Sequence, residues 1–414
     1  MATVKPRREP PPPNDLAESQ PPSDVTDPAL DPDAAHPAGQ AKYGRFRAFI
    51  RALTFSIYFG CGCLIIHITQ ILGAPLYFVS SDLYRAYMSL TKASFGLLIT
   101  TMTQWWAPTV IRISGDSSVA AQLRLTSDGR VECDFPERMV MIANHQIYTD
   151  WIYLWWVGYT NTPSMHGHIY ILLKESLKRI PVIGPGCLFL GFIFLSRKMA
   201  VDKSRLARGL GKLKTRHTDL DGKSYLSPMW LLLFPEGTNL SANGRVKSAS
   251  WAAKLGVRDA EHQMLPRSTG MFFCLNELKG TVDYVYDCTV AYEGVPRGKY
   301  GEQYFTLSST YFQGRPPKSA NFYWRRFKLD DMPLDDQEKF DEWLRERWYE
   351  KDALLEQYMS TGRFPANEAG VRGYIETEVR TQHWWEFSKI FVMLGTFGLI
   401  LNVMLRTMRF LARA

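Results

Sequence analysis

A histidine followed five residues later by an aspartate is the arrangement in this chain best suited to chemistry: His145 and Asp150, in the stretch Asn144-His145-Gln146-Ile147-Tyr148-Thr149-Asp150-Trp151. An apolar run, residues 139–143, leads into the pair, which places it at the end of an expected buried strand. Histidine is the side chain whose ordinary pKa lies nearest neutrality, so it can take a proton from an alcohol as that alcohol attacks a carbonyl. A carboxylate on the other ring nitrogen fixes the tautomer and stabilises the imidazolium. The chain has no G-x-S-x-G nucleophile elbow. The attacking hydroxyl would then come from a substrate, and a thioester donor would suit, because its thiol leaves readily without an acyl-enzyme. Taken alone, the same spacing also fits a core histidine with a satisfied hydrogen bond.

A second motif changes that balance. Phe234-Pro235-Glu236-Gly237-Thr238 directly follows the apolar run 230–233. A strand ending this way leaves backbone N–H groups, a hydroxyl and a carboxylate at a sheet edge, where ligands of open α/β sheets collect. With both motifs in this order, the chain resembles the 1-acylglycerol-3-phosphate acyltransferase family, in its lysocardiolipin acyltransferase-like branch. Asn144-His145 through Asp150 resembles the first block of that family. Lys174-Glu175-Ser176-Leu177-Lys178-Arg179-Ile180-Pro181, with Gly184 and Phe194-Leu195-Ser196-Arg197, resembles the second. Residues 234–238 resemble the third, and Leu265-Pro266-Arg267 with Gly270 the fourth. Trp343 to Arg347, Trp348, Glu350-Lys351-Asp352 and Leu355-Glu356 are similar to the C-terminal region of the branch.

The resemblance implies a membrane-bound enzyme that transfers a fatty acyl group from acyl-CoA to the free hydroxyl of a lysophospholipid. The acceptor would be of lysophosphatidic acid, lysophosphatidylinositol or lysocardiolipin type. It implies His145 as base and Asp150 as its orienting partner. Glu236, Gly237 and Thr238 would hold the glycerol phosphate region with a base from the second block, Arg197, while Lys174 and Arg267 are further candidates for phosphate contact. The residues leave other readings open. Arg267 could be a buried structural arginine, Lys174 and Lys178 a solvated helix face, and Glu236 a helix N-terminal carboxylate with no substrate contact. The rival function is a lipid-binding membrane protein on an acyltransferase scaffold, without turnover. No metal or cofactor is called for beyond acyl-CoA as donor substrate, since His166 and His168 form an H-x-H without further ligands at sensible spacing and read as loop.

The elements that must position these residues are expected in an α/β domain over residues 113–330, with a mixed central sheet and flanking helices. Short apolar runs at 139–143, 169–173, 192–195, 230–234 and 288–292 suit buried strands. Helical candidates lie around 152–157, 174–179, 203–215, 247–255 and 272–279. Residues 180–196 are uncharged but broken by Pro181, Gly184-Pro185-Gly186 and Gly191, so they are read as lining an acyl groove or facing a membrane, with Gly191 expected to tune acyl-chain preference. A C-terminal helical extension over 331–386 contains the charged helix 334–359, whose apolar residues recur at spacings of three and four.

Before the domain, residues 42–112 hold two uncharged runs, 52–81 and 93–111, each about as long as the roughly 20 residues a spanning helix needs. They read as a helical hairpin in a membrane, although His67 and Gln70 inside the first run then need partners. Lys42, Arg45, Arg47 and Arg51 precede it, which by the positive-inside rule puts that end, and with a hairpin the catalytic domain, in the cytosol. A last uncharged run, 390–405, is read as anchor or interfacial segment within residues 387–414. Residues 1–41 carry ten of the 24 prolines up to Pro37 and are expected to be disordered, with no signal-peptide pattern. The net charge of +8 is not gathered into a nucleic-acid motif and, beside these runs, points to a membrane surface, which the resemblance implies to be that of the endoplasmic reticulum or a related membrane. Six cysteines show no CxxC or zinc spacing; four lie in apolar surroundings and fit buried thiols, and Cys61 and Cys63, near a membrane run, could be palmitoylated.

Overall fold

The computed structural model describes residues 36–196, 198–218, 221–366 and 374–411; most of the proline-rich segment and Arg197 lie outside the described residues. Among the described residues the first elements are three helices, α1 (Arg45–Gly73), α2 (Leu76–Val79) and α3 (Ser81–Trp106), the last capped by the Ser80 hydroxyl on the Leu83 N–H. Helices α1 and α3 run antiparallel, since contacts join Arg51 to Trp106, Tyr58 to Thr101 and Thr69 to Tyr87. Residues Arg45–Val79 are long and apolar enough to cross a membrane. The second arm differs from the expectation of two equivalent runs. Helix α3 buries Thr91, Lys92, Leu97, Leu98, Thr100, Thr101 and Met102, and its expected run ends early because Pro108 stops the helix and Val110 starts a strand. His67 and Gln70 find partners inside the fold: His67 Nδ1 pairs with Gln70 Oε1 at 3.2 Å, and Gln70 Nε2 donates to the Gly186 carbonyl at 3.4 Å.

The domain then follows as β1 (Val110–Gly115), the hairpin β2 (Leu123–Leu125) and β3 (Val131–Cys133), β4 (Arg138–Ala143), α4 (Asp150–Thr160) and β5 (Ile169–Lys174). Next come α5 (Ile183–Phe189), β6 (Ile193–Leu195), α6 (Met199–Leu213), the hairpin β7 (Arg216–Thr218) and β8 (Ser224–Leu226), β9 (Met229–Leu233), α7 (Ala242–Leu255) and α8 (Ser268–Leu278). The remainder is β10 (Tyr284–Tyr292), α9 (Gly301–Tyr304), β11 (Ser319–Lys328), α10 (Gln337–Thr361), β12 (Ile375–Glu378) and α11 (Lys389–Leu411). Eight strands form one mixed sheet in the order β12-β1-β11-β10-β4-β9-β5-β6. Strands β10, β4, β9, β5 and β6 are mutually parallel, with β11 antiparallel to β10. Both faces of the central strands are covered, which is why β4 and β9 read as continuous apolar runs rather than alternations. One face packs Trp155, Tyr153 and Phe192 with the inner sides of α1 and α3, and the other packs Leu206, Leu275, Phe340 and Trp348 from α6, α8 and α10.

Two expectations need correction. Lys174 ends a strand and only Glu175–Arg179 turns as a short 3-10 helix, because β5 continues through Lys174 in register with β6. Gly191 adopts φ 75°, a conformation side chains rarely take, so a substitution there reports backbone strain before any change in groove width. The final run is longer than its uncharged core suggested: Trp384–Arg409 is the second segment long and apolar enough to cross a membrane.

Candidate active site

The parallel strands all deliver chemistry to one edge of the sheet. Strand β4 leaves the ladder after Ala143, which is paired with Cys288 of β10. The buried Asn144 side chain extends that pairing by one step, its amide donating to the Val290 carbonyl at 2.9 Å and its oxygen accepting from the Val290 N–H at 2.7 Å. This holds the chain to β10 while the backbone turns outward, and His145 emerges at the edge with 17% of its side chain exposed. The imidazole stacks on Phe234 at 4.2 Å.

Helix α4 begins at Asp150, which is fully buried, and its carboxylate explains the five-residue spacing. Asp150 Oδ2 accepts from His145 Nδ1 at 2.8 Å, from the Gln146 N–H at 2.6 Å and from the Ile147 N–H at 3.1 Å. The turn between the two residues is thus closed by the same oxygen that orients the ring. With Nδ1 donating to the carboxylate, Nε2 is left as the acceptor, the tautomer a general base requires.

Glu236 lies beside this pair but is committed to the backbone. Its Oε1 accepts from the His145 N–H at 2.7 Å and its Oε2 from the Met264 N–H at 3.0 Å, and the residue is 4% exposed. Burial pushes its carboxyl up to about 7, against the pull of those two N–H groups. Gly237 follows at φ 78°, and a Cβ placed there would lie 3.8 Å from Arg267 Cδ, so the fourth-block arginine runs alongside the third-block turn. The Arg267 N–H also donates to the Pro235 carbonyl at 2.8 Å. Arg267 is exposed rather than buried, as are Gly237 and Thr238. Lys174, exposed at the end of β5, sits on the strand next to β9, and β6 beyond it ends at Leu195. Asp202, buried at the start of α6, accepts from the Ser196 and Lys198 N–H groups at 2.9 and 3.1 Å.

Comparison with known proteins agrees with this geometry. The family described as acyltransferase matches residues 123–293, and that described as acyltransferase C-terminus matches residues 310–385. An uncharacterized acyltransferase of Schizosaccharomyces pombe is 36% identical over 84% of this chain and 95% of its own length. The 2-acyl-1-lysophosphatidylinositol acyltransferase of Saccharomyces cerevisiae is 38% identical over 73% of this chain and 83% of its own. Lysocardiolipin acyltransferase 1 of Gallus gallus is 29% identical over 70% and 68%. The chain belongs to the 1-acylglycerol-3-phosphate acyltransferase family.

In this acyltransferase the C-terminal match is built into the site. Helix α10 holds the loop 261–264: Asp352 accepts from the Glu261 and His262 N–H groups, each at 2.8 Å, and Trp348 Nε1 donates to the Met264 carbonyl at 3.0 Å. That loop in turn accepts Gln146 Nε2 on the His262 carbonyl at 3.1 Å and presents the Met264 N–H to Glu236. Asp352 was visible in the sequence only as part of a motif; its task depends on a loop about 90 residues away. Glu261, His262 and Glu356 bring ligand atoms within 4.8 Å of one another, a grouping that could hold a metal. Glu356 there already accepts from Arg297 at 2.5 and 2.8 Å and pairs with His262 at 2.7 Å, so the acyltransferase uses it as an ion-pair cluster. His166 lies in a loop as expected, its Nδ1 paired with Ser164 at 2.7 Å.

Proposed function

We propose that the protein is a membrane-bound, acyl-CoA-dependent lysophospholipid acyltransferase. The observation that carries this is the His145 Nδ1–Asp150 Oδ2 pair at 2.8 Å, with the imidazole reaching solvent at the carboxyl edge of the parallel strands. His145 Nε2 takes the proton of the lysophospholipid hydroxyl as its oxygen attacks the thioester carbonyl. The C–S bond then breaks, and the CoA thiolate leaves with the proton returned from the imidazolium. Asp150 holds the ring and offsets its transient charge. Glu236 supports this base through the backbone instead of touching substrate, which leaves phosphate recognition to Arg267, Lys174, the Gly237-Thr238 turn and Arg197.

The relatives are named for lysophosphatidylinositol, lysocardiolipin and 1-acyl-glycerol-3-phosphate acceptors, which all carry a phosphodiester or phosphate near a free glycerol hydroxyl. Lysophosphatidylinositol is the first acceptor to assay, given 38% identity with the yeast enzyme of that name. The endoplasmic reticulum, with the domain on its cytosolic face, fits the apolar helices and the basic cluster before α1. The test is purified protein in lipid nanodiscs with labelled acyl-CoA and a panel of lysophospholipids. Transfer is expected in the wild type, and His145→Ala should lose roughly 10²- to 10⁴-fold while remaining folded and membrane-bound. Binding of lysolipid without turnover in the wild type would leave a lipid-binding protein.

A further inference from the structure

We infer that Tyr292 is a positioning residue of the active site, acting on the base through Asp150, an inference that rests on the proposed transfer reaction. Tyr292 is the last residue of β10 and 4% exposed, and its hydroxyl donates to Asp150 Oδ1 at 2.5 Å. The two carboxylate oxygens are served unequally. Oδ2 takes the three donors of the His145 turn, whereas the only donor described on Oδ1 is the phenol. The phenol ring is held between Tyr153, at 6.1 Å, and Phe305, at 5.9 Å, and the Tyr153 hydroxyl is paired elsewhere, with the Thr109 hydroxyl at 3.3 Å.

Two consequences follow for the base. An oxygen with one donor in a dry site fixes the plane of the carboxylate, and the plane of the carboxylate fixes the direction in which Oδ2 meets Nδ1. A donor on Oδ1 also withdraws charge from the carboxylate and tempers its pull on the imidazolium that forms during transfer. Burial, together with the Asp150 charge, raises the phenol well above its ordinary range, so it keeps its proton to donate to Asp150 at working pH. Helix α4 and strand β10 thereby meet at one hydrogen bond, two residues along β10 from Val290, where Asn144 ties the end of β4 to the same strand. The titratable groups facing the phenol are Asp150 and Tyr153 of α4 and Cys288 of its own strand, of which only Asp150 is charged.

The experiment compares the wild type, Tyr292→Phe, Asp150→Asn and the double variant in nanodiscs, with His145→Ala as control. An active wild type and inactive His145→Ala establish the transfer reaction independently of Tyr292. Tyr292→Phe keeps the ring and its packing. Its kcat is expected to fall roughly 10- to 100-fold, the scale of a misdirected catalytic group, with KM for the lysolipid unchanged. The acidic limb of its pH–kcat/KM profile should move to higher pH, because a carboxylate relieved of its donor holds the imidazolium proton more tightly. Asp150→Asn and Asp150→Asn/Tyr292→Phe should be equally active, since the phenol has nothing left to act through. Losses that multiply in the double variant, or a raised KM with an unmoved pH profile, would overturn the inference. Melting temperatures of all four proteins separate these outcomes from a folding defect.

Discussion

Glu236 has both carboxylate oxygens on backbone N–H groups, and its burial cost decides how its loss should look. An acid whose folded pKa, about 7, lies above its ordinary value of 4.5 contributes most stability below the lower value, and that contribution is lost as pH rises through the higher one. The window is worth on the order of 3 kcal/mol. Glu236→Gln removes the titration, so its melting temperature should stay flat from pH 5 to 8 relative to the wild type's decline. Its activity should nevertheless fall mainly in kcat, because a glutamine can accept from the His145 or the Met264 N–H with its single carbonyl oxygen but cannot serve both. Thermal scans across that range beside kcat and KM check both halves; parallel pH trends, or a change confined to KM, would return Glu236 to the substrate. The His145–Asp150 pair was legible in the chain because a five-residue turn joins them. The task of Glu236 was not, since its partners are backbone groups 91 and 28 residues away, and a backbone N–H has no signature in sequence.

Helix α10 shows the same limit for elements. Its apolar spacing announced an amphipathic helix, and residues Gln337–Thr361 form one, but its buried polar face was not readable from spacing alone. Lys351 is fully buried, with Nζ 2.5 Å from Asp287 Oδ1 and donating to the Cys288 carbonyl at 2.7 Å, while Arg325 of β11 reaches Asp287 Oδ2 at 2.7 Å. The two cations hold the Asp287 carboxyl below its usual range against its burial. Lys351→Met therefore leaves a buried carboxylate with one partner fewer, and a loss of about 3–5 kcal/mol is expected by thermal or denaturant unfolding. Asp352→Asn acts differently: it can serve one of the two N–H groups of loop 261–262, so activity should drop several-fold with a smaller change in melting temperature. Equal losses of stability in the two variants would argue that α10 only scaffolds. The strands β1, β11 and β12 were missed for related reasons. Val110 and Ile111 continue an apolar helical run beyond Pro108, β11 carries Arg325, Arg326 and Lys328 and so reads as solvated, and the four-residue β12 is an edge strand.

At the scale of the whole molecule, the membrane helices and the active site share one edge of the sheet. Val110 at the start of β1 is in register with Ser319 and Glu378, and Ala320 lies opposite Tyr292, so the end of α3 and the approach to α11 emerge where His145 does. Trp105 at the end of α3 meets Phe387 just before α11 at 5.4 Å, and Tyr87 meets Phe397 at 6.4 Å, which makes α11 antiparallel to α3 and parallel to α1. Arg51 near the start of α1 donates to the Trp106 carbonyl at 2.6 Å, completing the set. The beginnings of α1 and α11 and the end of α3 therefore lie together. Helix α11 rises about 1.5 Å per residue, and its 23 residues outreach a hydrocarbon core of roughly 30 Å. Crossing by α11 then sends the C-terminus away from the domain, while α1 and α3 return the chain to the side it started from. Epitopes placed before Arg45, at the exposed Ser127 between β2 and β3, and after Leu411 test this in sealed microsomes. The first two should be digested by added protease and the third protected until detergent is added. Digestion of all three would mean that α11 lies in the interface, and opposite fates for the first two would contradict the antiparallel return of α3.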